Sequence, residues 1–472
     1  MPARDIRITP QTWSPRGESV VQGNRKELIL WGAIPGEEAF AHLYHEGEHQ
    51  DRARFIRPAG APHPLRREPP CDRYNVCGGC PLMHLNAEGQ VRAKLYMVKA
   101  ALAEHGLEAH APTTMVASPD GDEAFRHVAK VAVGVSDLGH LRVGAFGRDS
   151  HHVVPIPSCN VVTPAIREVM KVIAHHVIDL QIYPYEPALE RGLLRHVVIR
   201  QSRSTGEILI TMVAARKLPL LWELAERLAG NLSQVVGVHL HVNDDPGNAI
   251  FIRDADGVTE TIPMRGKDAI EESLGGLRLR VGPADFYQTN PSMAERLVAD
   301  VVQSFAEDPG RPAVDLYCGV GGITLALARS QGWAFGVEGV ESAVDRAREN
   351  ATLNKLSAEF AAGDVGEILP DLARRLAGTG PVVCVDPARR GLEPEVAAAI
   401  RALEPARLVY VSCNPRALAR DLAELVGAGW RVDGIQAYDM FPQTSHTELL
   451  ARLSPPAPPA ADRRPPRRKV VR

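Results

Sequence analysis

The chain has 472 residues, enough for two or three domains, and 45% of them are hydrophobic, enough for a sizeable core. Its formal net charge of −3 excludes a global basic field for unselective nucleic-acid binding, but leaves room for a local basic groove. No run approaches the roughly 20 apolar residues of a membrane span, and the polar N-terminus lacks a secretory layout, so a cytoplasmic protein with no membrane partner is expected.

Residues 1–58 predict a small β-rich unit. Leu28–Trp31 is a short apolar run, Ala33-Ile-Pro-Gly-Glu37 is a turn, and Phe40–Tyr44 suits a second strand. Strands at this spacing fit a small barrel. A Pro-rich linker follows, and residues 59–92 take in that linker and a cysteine cluster. Residues 86–105 carry the helical spacing Val91, Leu95, Val98, Leu102, and the segment 93–124 is expected to pack on the catalytic domain. From 125 to 285, β-type runs dominate (Val131–Val135, His196–Arg200, Ile208–Val213), with helices such as 215–230 between them, so an α+β central domain is predicted.

From 286 to 454 short apolar strands alternate with helices. The strand candidates are Val314–Tyr317, Ala334–Glu338, Val382–Asp386 and Leu408–Ser412. This predicts βαβ units on a mostly parallel, Rossmann-like sheet. Residues 455–472 are rich in Pro, Ala and Arg and are expected to be a disordered basic tail.

Ligand-bearing residues in such a sheet gather at the carboxyl ends of the strands. Asp315-Leu-Tyr-Cys-Gly-Val-Gly-Gly322 ends one strand and opens the helix Ile323–Ser330, and its glycines permit a tight turn with close ligand approach. Glu338 ends the next strand, where a carboxylate can accept from both hydroxyls of a ribose. Gly363-Asp364 follows the third strand, where a carboxylate can meet an adenine amine. Asp386-Pro387 and Ser412-Cys413-Asn414-Pro415 end the fourth and fifth. Cys413 stands where a thiol can face the cleft, whereas Cys318 and Cys384 lie in or beside apolar strands and read as packing residues. Glu448 enters a late strand from the polar loop Pro442-Gln-Thr-Ser-His-Thr, and His446 reads as a structural hydrogen-bonding residue.

The chain has seven cysteines, an odd number that argues against a disulfide framework. Cys71, Cys77 and Cys80 cluster, and Cys159 is the remaining cysteine before the catalytic domain. Four thiolates suit tetrahedral zinc or a 4Fe-4S cluster, and spacing alone leaves both open.

Together these motifs resemble the RNA uridine-C5 methyltransferase family, the 5-methyluridine enzymes of tRNA and 23S rRNA, over nearly the whole chain. Phe286-Tyr-Gln-Thr-Asn-Pro291, Asp315-Leu-Tyr-Cys-Gly, Asp386-Pro-Ala-Arg-Arg-Gly391, Val411-Ser-Cys-Asn-Pro415 and Phe441-Pro-Gln-Thr-Ser-His-Thr-Glu448 carry the likeness. It implies a class I methyltransferase domain that uses S-adenosyl-L-methionine. Cys413 would add to C6 of uracil, making C5 nucleophilic, and Glu448 would remove the C5 proton. Gln288, Tyr317, Glu338, Asp364 and Asp386 would line the cofactor and uracil pocket. Gly322 stands where relatives often have Asn, so only its backbone is implied there, and Ala388 replaces a second Pro. The N-terminal unit resembles an RNA-binding TRAM barrel. The resemblance also favours a 4Fe-4S cluster on Cys71, Cys77, Cys80 and Cys159 over zinc, and 23S rRNA over tRNA as substrate. With four cysteine ligands the cluster has no open iron for the donor, so a structural role is expected. A noncatalytic iron–sulfur RNA-binding protein is the reading from another class. A monomer acting on RNA is expected.

Overall fold

The computed structural model describes residues 4–23, 25–136, 138–254 and 258–456. The predicted tail therefore lies, from residue 457 onward, outside the described residues. No described helix is long and apolar enough to cross a membrane.

The catalytic half is built on an eight-stranded sheet. Its spatial order is Ala358–Ala362, Ala334–Glu338, Ala313–Leu316, Val382–Val385, Arg407–Ser412, Glu448–Ser454, Arg431–Tyr438 and Met115–Val116. The first five run parallel, and Glu448–Ser454 inserts antiparallel between its two neighbours. Numbered by the chain within this half, the order is 3-2-1-4-5-7-6. The strands are near-continuous apolar runs because helices cover both faces. The order reverses beside Ala313–Leu316, and open α/β sheets place their ligands at such a switch point.

The strand ends explain several motif residues. Tyr317 and Asp386, expected inside strands, lie just beyond them. Tyr317 has a φ of 67°, a left-handed conformation that turns the chain out of the sheet. Asn290-Pro291 and Asn414-Pro415 each start a helix. The Asn side chain accepts from the backbone N–H of Met293 or Arg416, and Pro occupies the first helical position, where no donor is needed.

The central sheet has seven strands, from Val153–Pro155 at one edge to Ile262–Gly266 at the other. All its pairings are antiparallel except that between Ile208–Ala214 and Val235–Val242, which the helix Pro219–Asn231 joins as a crossover. That helix starts four residues later than the sequence suggested. The Ala215 N–H still bonds Leu193 across the sheet, and Pro219 supplies the helix start. The hairpin Ile270–Leu274/Leu277–Val281 packs Leu274, Leu279 and Val281 onto Leu325, Val344 and Phe360 of the catalytic half.

A third, six-stranded sheet occupies residues 4–58, with Glu27–Trp31 and Ala39–Glu46 at the two expected strands. Beyond it the helix Ala87–Ala103 is capped by Asn86 and sends Val98 and Leu102 into the catalytic core.

Candidate active site

The turn after Ala313–Leu316 forms one wall of a cavity. Gly319 and Gly321 have φ values of 53° and 88°. A Cβ on Gly321 would stand 3.1 Å from Ala347 and 3.3 Å from Phe360, so the turn cannot be this tight with another residue. Gln288, Tyr317, Gly322 and Asp386 line the cavity, with Leu274 and Tyr287. A Cβ on Gly322 would meet Leu274 at 3.1 Å, so glycine here lets the hairpin close over the helix start. Glu338 stands beside this lining and accepts from the backbone N–H of Gly319 at 3.1 Å and of Val340 at 2.9 Å. Asp364 is exposed and caps its own helix by accepting from Gly366 at 2.8 Å, while its charge helps raise the Tyr317 hydroxyl pKa, behind burial and Glu393.

Asp315 was not singled out from the sequence, yet it lines this cavity. Thr324 donates to its Oδ2 at 2.6 Å, and Oδ1 is buried without a partner. Burial pushes the Asp315 pKa up to about 7. An orphan carboxylate oxygen beside an apolar wall fits a donor molecule with an ammonium group and a nucleoside, as S-adenosylmethionine has. An unpaired acceptor gives no pattern in sequence and emerges only once the turn is folded.

The fifth strand carries Cys413 just past its end. Ser412 pairs with Leu449 across the ladder, so the next step sets Cys413 opposite Glu448, the first residue of the antiparallel strand. Cys413 is half-buried and Glu448 is buried. Burial, then the Glu448 charge, pushes the Cys413 thiol up to about 11, while Arg389 opposes the rise. Burial and the nearby Asp386 likewise hold the Glu448 carboxyl well above the ordinary range. Burial raises Asp386 too, to about 7. Asn414 donates to the Arg389 carbonyl at 2.7 Å, tying the loop after Cys413 to the loop after Asp386. Cys318 and Cys384 are buried, and burial lifts their thiols far above the ordinary value, as inert packing residues require.

The loop leading to Glu448 is held from outside. Gln443 adopts a φ of 70° and is fully buried. Its side-chain oxygen accepts from Gln90 at 3.0 Å and Arg67 at 2.8 Å, and its side-chain nitrogen donates to Asp122 at 2.8 Å. Lys94, also fully buried, donates to Asp439 and to the Phe441 carbonyl. Sequence reading missed Gln90, Lys94 and Arg67, since only the fold brings them more than 340 residues along the chain to this loop.

Cys71, Cys77, Cys80 and Cys159 line one small cavity beside the central core, with Met83 and Ile156. Among the described residues no three His, Cys, Asp or Glu side chains are gathered so as to hold a single metal ion.

A Rossmann-like class I methyltransferase sheet with its cavity at the switch point thus carries a thiol and a carboxyl on neighbouring strand ends, close enough for the carboxyl's charge to act on the thiol. Residues 146–369 and 370–453 match the tRNA (Uracil-5-)-methyltransferase family. An RNA methyltransferase of Gloeobacter violaceus is 35% identical over 432 residues, covering 90% of this chain and 91% of the relative. One from Listeria innocua is 30% identical, covering 96% and 98%. The structure of Pyrococcus abyssi tRNA (uracil-54, C5)-methyltransferase in complex with S-adenosyl-L-homocysteine superposes with a TM-score of 0.75 at 26% identity, covering 95% of this chain and 99% of that one. The chain belongs to the tRNA (Uracil-5-)-methyltransferase family. It is an RNA (uracil-C5)-methyltransferase that uses S-adenosylmethionine.

Proposed function

We propose that the protein methylates C5 of a uridine in tRNA through a temporary bond between Cys413 and uracil C6. The observation that carries this is the ladder step that faces Cys413 with Glu448 beside the Asp386 end of the donor cavity. The donor supplies an electrophilic methyl group on a sulfonium. Gln288 and Tyr317 would hold it from the lining, with the backbone of Gly322 at the floor, and Glu338 and Asp364 would serve its ribose and base from the adjoining strand ends. Asp386 orients donor and uracil. Cys413 adds as thiolate to C6, and the electron pair this releases makes C5 the nucleophile that takes the methyl. Glu448 then removes the C5 proton, the C5–C6 double bond re-forms and Cys413 leaves. The base must be extruded from its stack to reach this depth.

The cysteine pattern favoured 23S rRNA. The Pyrococcus abyssi enzyme, whose stated substrate is tRNA, aligns along 95% of this chain, and that favours tRNA. Sequencing 5-methyluridine in RNA from a strain lacking the gene tests the choice. Loss of the mark from tRNA is expected, and loss from rRNA alone overturns it.

The six-stranded N-terminal sheet, with its Ala33–Glu37 turn, would be the TRAM-like RNA-docking unit. Cys71, Cys77, Cys80 and Cys159 would hold a 4Fe-4S cluster in a structural role. Zinc draws four sulfurs around one centre, whereas a four-iron cluster spreads its ligand sulfurs over four metals. Four thiols lining one cavity suit either group, and the likeness of the cysteine pattern to iron–sulfur relatives favours the cluster.

A further inference from the structure

A cavity that begins at Cys413 extends well beyond what one uracil needs. It has a volume of about 370 Å³ and is walled by Trp13, Tyr96, Glu104, Arg389, Cys413 and Arg416, among others. Neither Asp386 nor Glu448 lines it, so the target ring engages only the Cys413 end. Tyr96, Ala100 and Glu104 lie at successive i, i+4 positions along one helix and form its floor. Eight residues of helix span about 12 Å. Bases stacked along one strand stand about 3.4 Å apart, so this length exceeds a single ring.

The chemistry of the walls is that of a base-stacking platform. Tyr96 is a large aromatic on the outer face of this helix and is 41% exposed. Trp13, contributed by the N-terminal sheet, stands half-buried at the same cavity. Ala100 is exposed and small, which leaves the floor between Tyr96 and Glu104 open. Arg416 pairs with Glu104 at 3.1 Å and closes the polar end. Arg389 is exposed and belongs to the same lining, a cation suited to a backbone phosphate. Aromatic faces beside a cation suit a single-stranded nucleic acid.

We propose that this cavity is a second base site, in which a nucleotide next to the target uridine is splayed out and stacks on Tyr96 and Trp13. The inference rests on the uridine-C5 reading and adds a partner for the RNA strand outside the reacting centre. The N-terminal sheet then does more than dock RNA, because Trp13 completes a pocket that begins at the nucleophile.

The test uses full-length protein and a short RNA carrying 5-fluorouridine at the target, with an abasic nucleotide on one side or the other. The readout is the rate of the denaturation-stable adduct at saturating S-adenosylmethionine. In the wild type, one of the two abasic RNAs should react about tenfold more slowly than intact RNA. In Tyr96→Ala the intact and abasic RNAs should react at the same reduced rate, while Tyr96→Phe keeps the ring and should restore the difference. No abasic penalty on either side in the wild type, or the same penalty in Tyr96→Ala, overturns the second base site. Absence of any adduct with intact RNA overturns the uridine-C5 reading beneath it.

Discussion

Glu448 and Cys413 each lie one residue beyond the Ser412–Leu449 pair, and the Glu448 charge acts on the Cys413 thiol. Antiparallel insertion of the last strand creates this relationship. A parallel strand here would present its carboxyl end on the same edge, and the residue entering the sheet would lie far from the thiol.

The charge environment of Cys413 sets a pH prediction. Its thiol is raised to about 11, with burial first and Glu448 next, while Arg389 lowers it. Removing a negative neighbour favours the thiolate, and removing a positive one disfavours it. The pH profile of iodoacetamide labelling at Cys413 should therefore shift to lower pH in Glu448→Gln and to higher pH in Arg389→Ala. Mass spectrometry of the labelled peptide measures both, and a shift in the reverse sense would contradict the electrostatic account.

Glu448→Gln separates addition from elimination. The variant keeps the ladder and loses the base, so methylation should proceed once and stop at the covalent protein–RNA complex. Gel analysis under denaturing conditions should show accumulating methylated adduct. Turnover at the wild-type rate would remove Glu448 from the role.

Gln443 and Lys94 act through the loop that delivers Glu448. Gln443→Ala leaves the buried Gln90 short of a side-chain partner, which costs about 1–3 kcal/mol. Lys94→Ala strands Asp439 and should cost about 3–5 kcal/mol. Both should lower kcat more than they raise KM for S-adenosylmethionine, because neither residue lines the donor cavity. Denaturant unfolding and steady-state kinetics check the two parts. A change confined to that KM would count against loop positioning.

The cysteine cavity predicts a visible iron–sulfur absorption band and roughly four irons per chain after anaerobic purification. Cys80→Ser should lose both. Stoichiometric zinc in place of iron would support the tetrahedral alternative.

Much of the catalytic half was legible in the sequence because buried parallel strands leave apolar runs and their ends leave motifs. Ala334–Glu338 was delimited to the residue. Four of the six expected donor-site residues share one lining. What stayed hidden has a physical reason in each case. Met115–Val116 is a two-residue strand whose pairing with Ala437 and Tyr438 comes from far along the chain. Asp315 opened the Gly-rich motif without a role of its own, because a buried carboxylate oxygen without a partner leaves no pattern in sequence. Gln90 and Lys94 read as the polar side of an amphipathic helix, but they are buried because the 439–447 loop covers them. The Tyr96–Glu104 stripe gains a meaning only because the fold brings Trp13 into the same cavity.

The most direct measurement is peptide mapping of the adduct formed with 5-fluorouridine RNA and S-adenosylmethionine. Fluorine at C5 cannot leave as a proton does, so the intermediate is trapped. The account predicts one RNA-linked peptide, attached through Cys413, that vanishes in Cys413→Ala. Attachment at another cysteine, or an adduct that persists without Cys413, would contradict it.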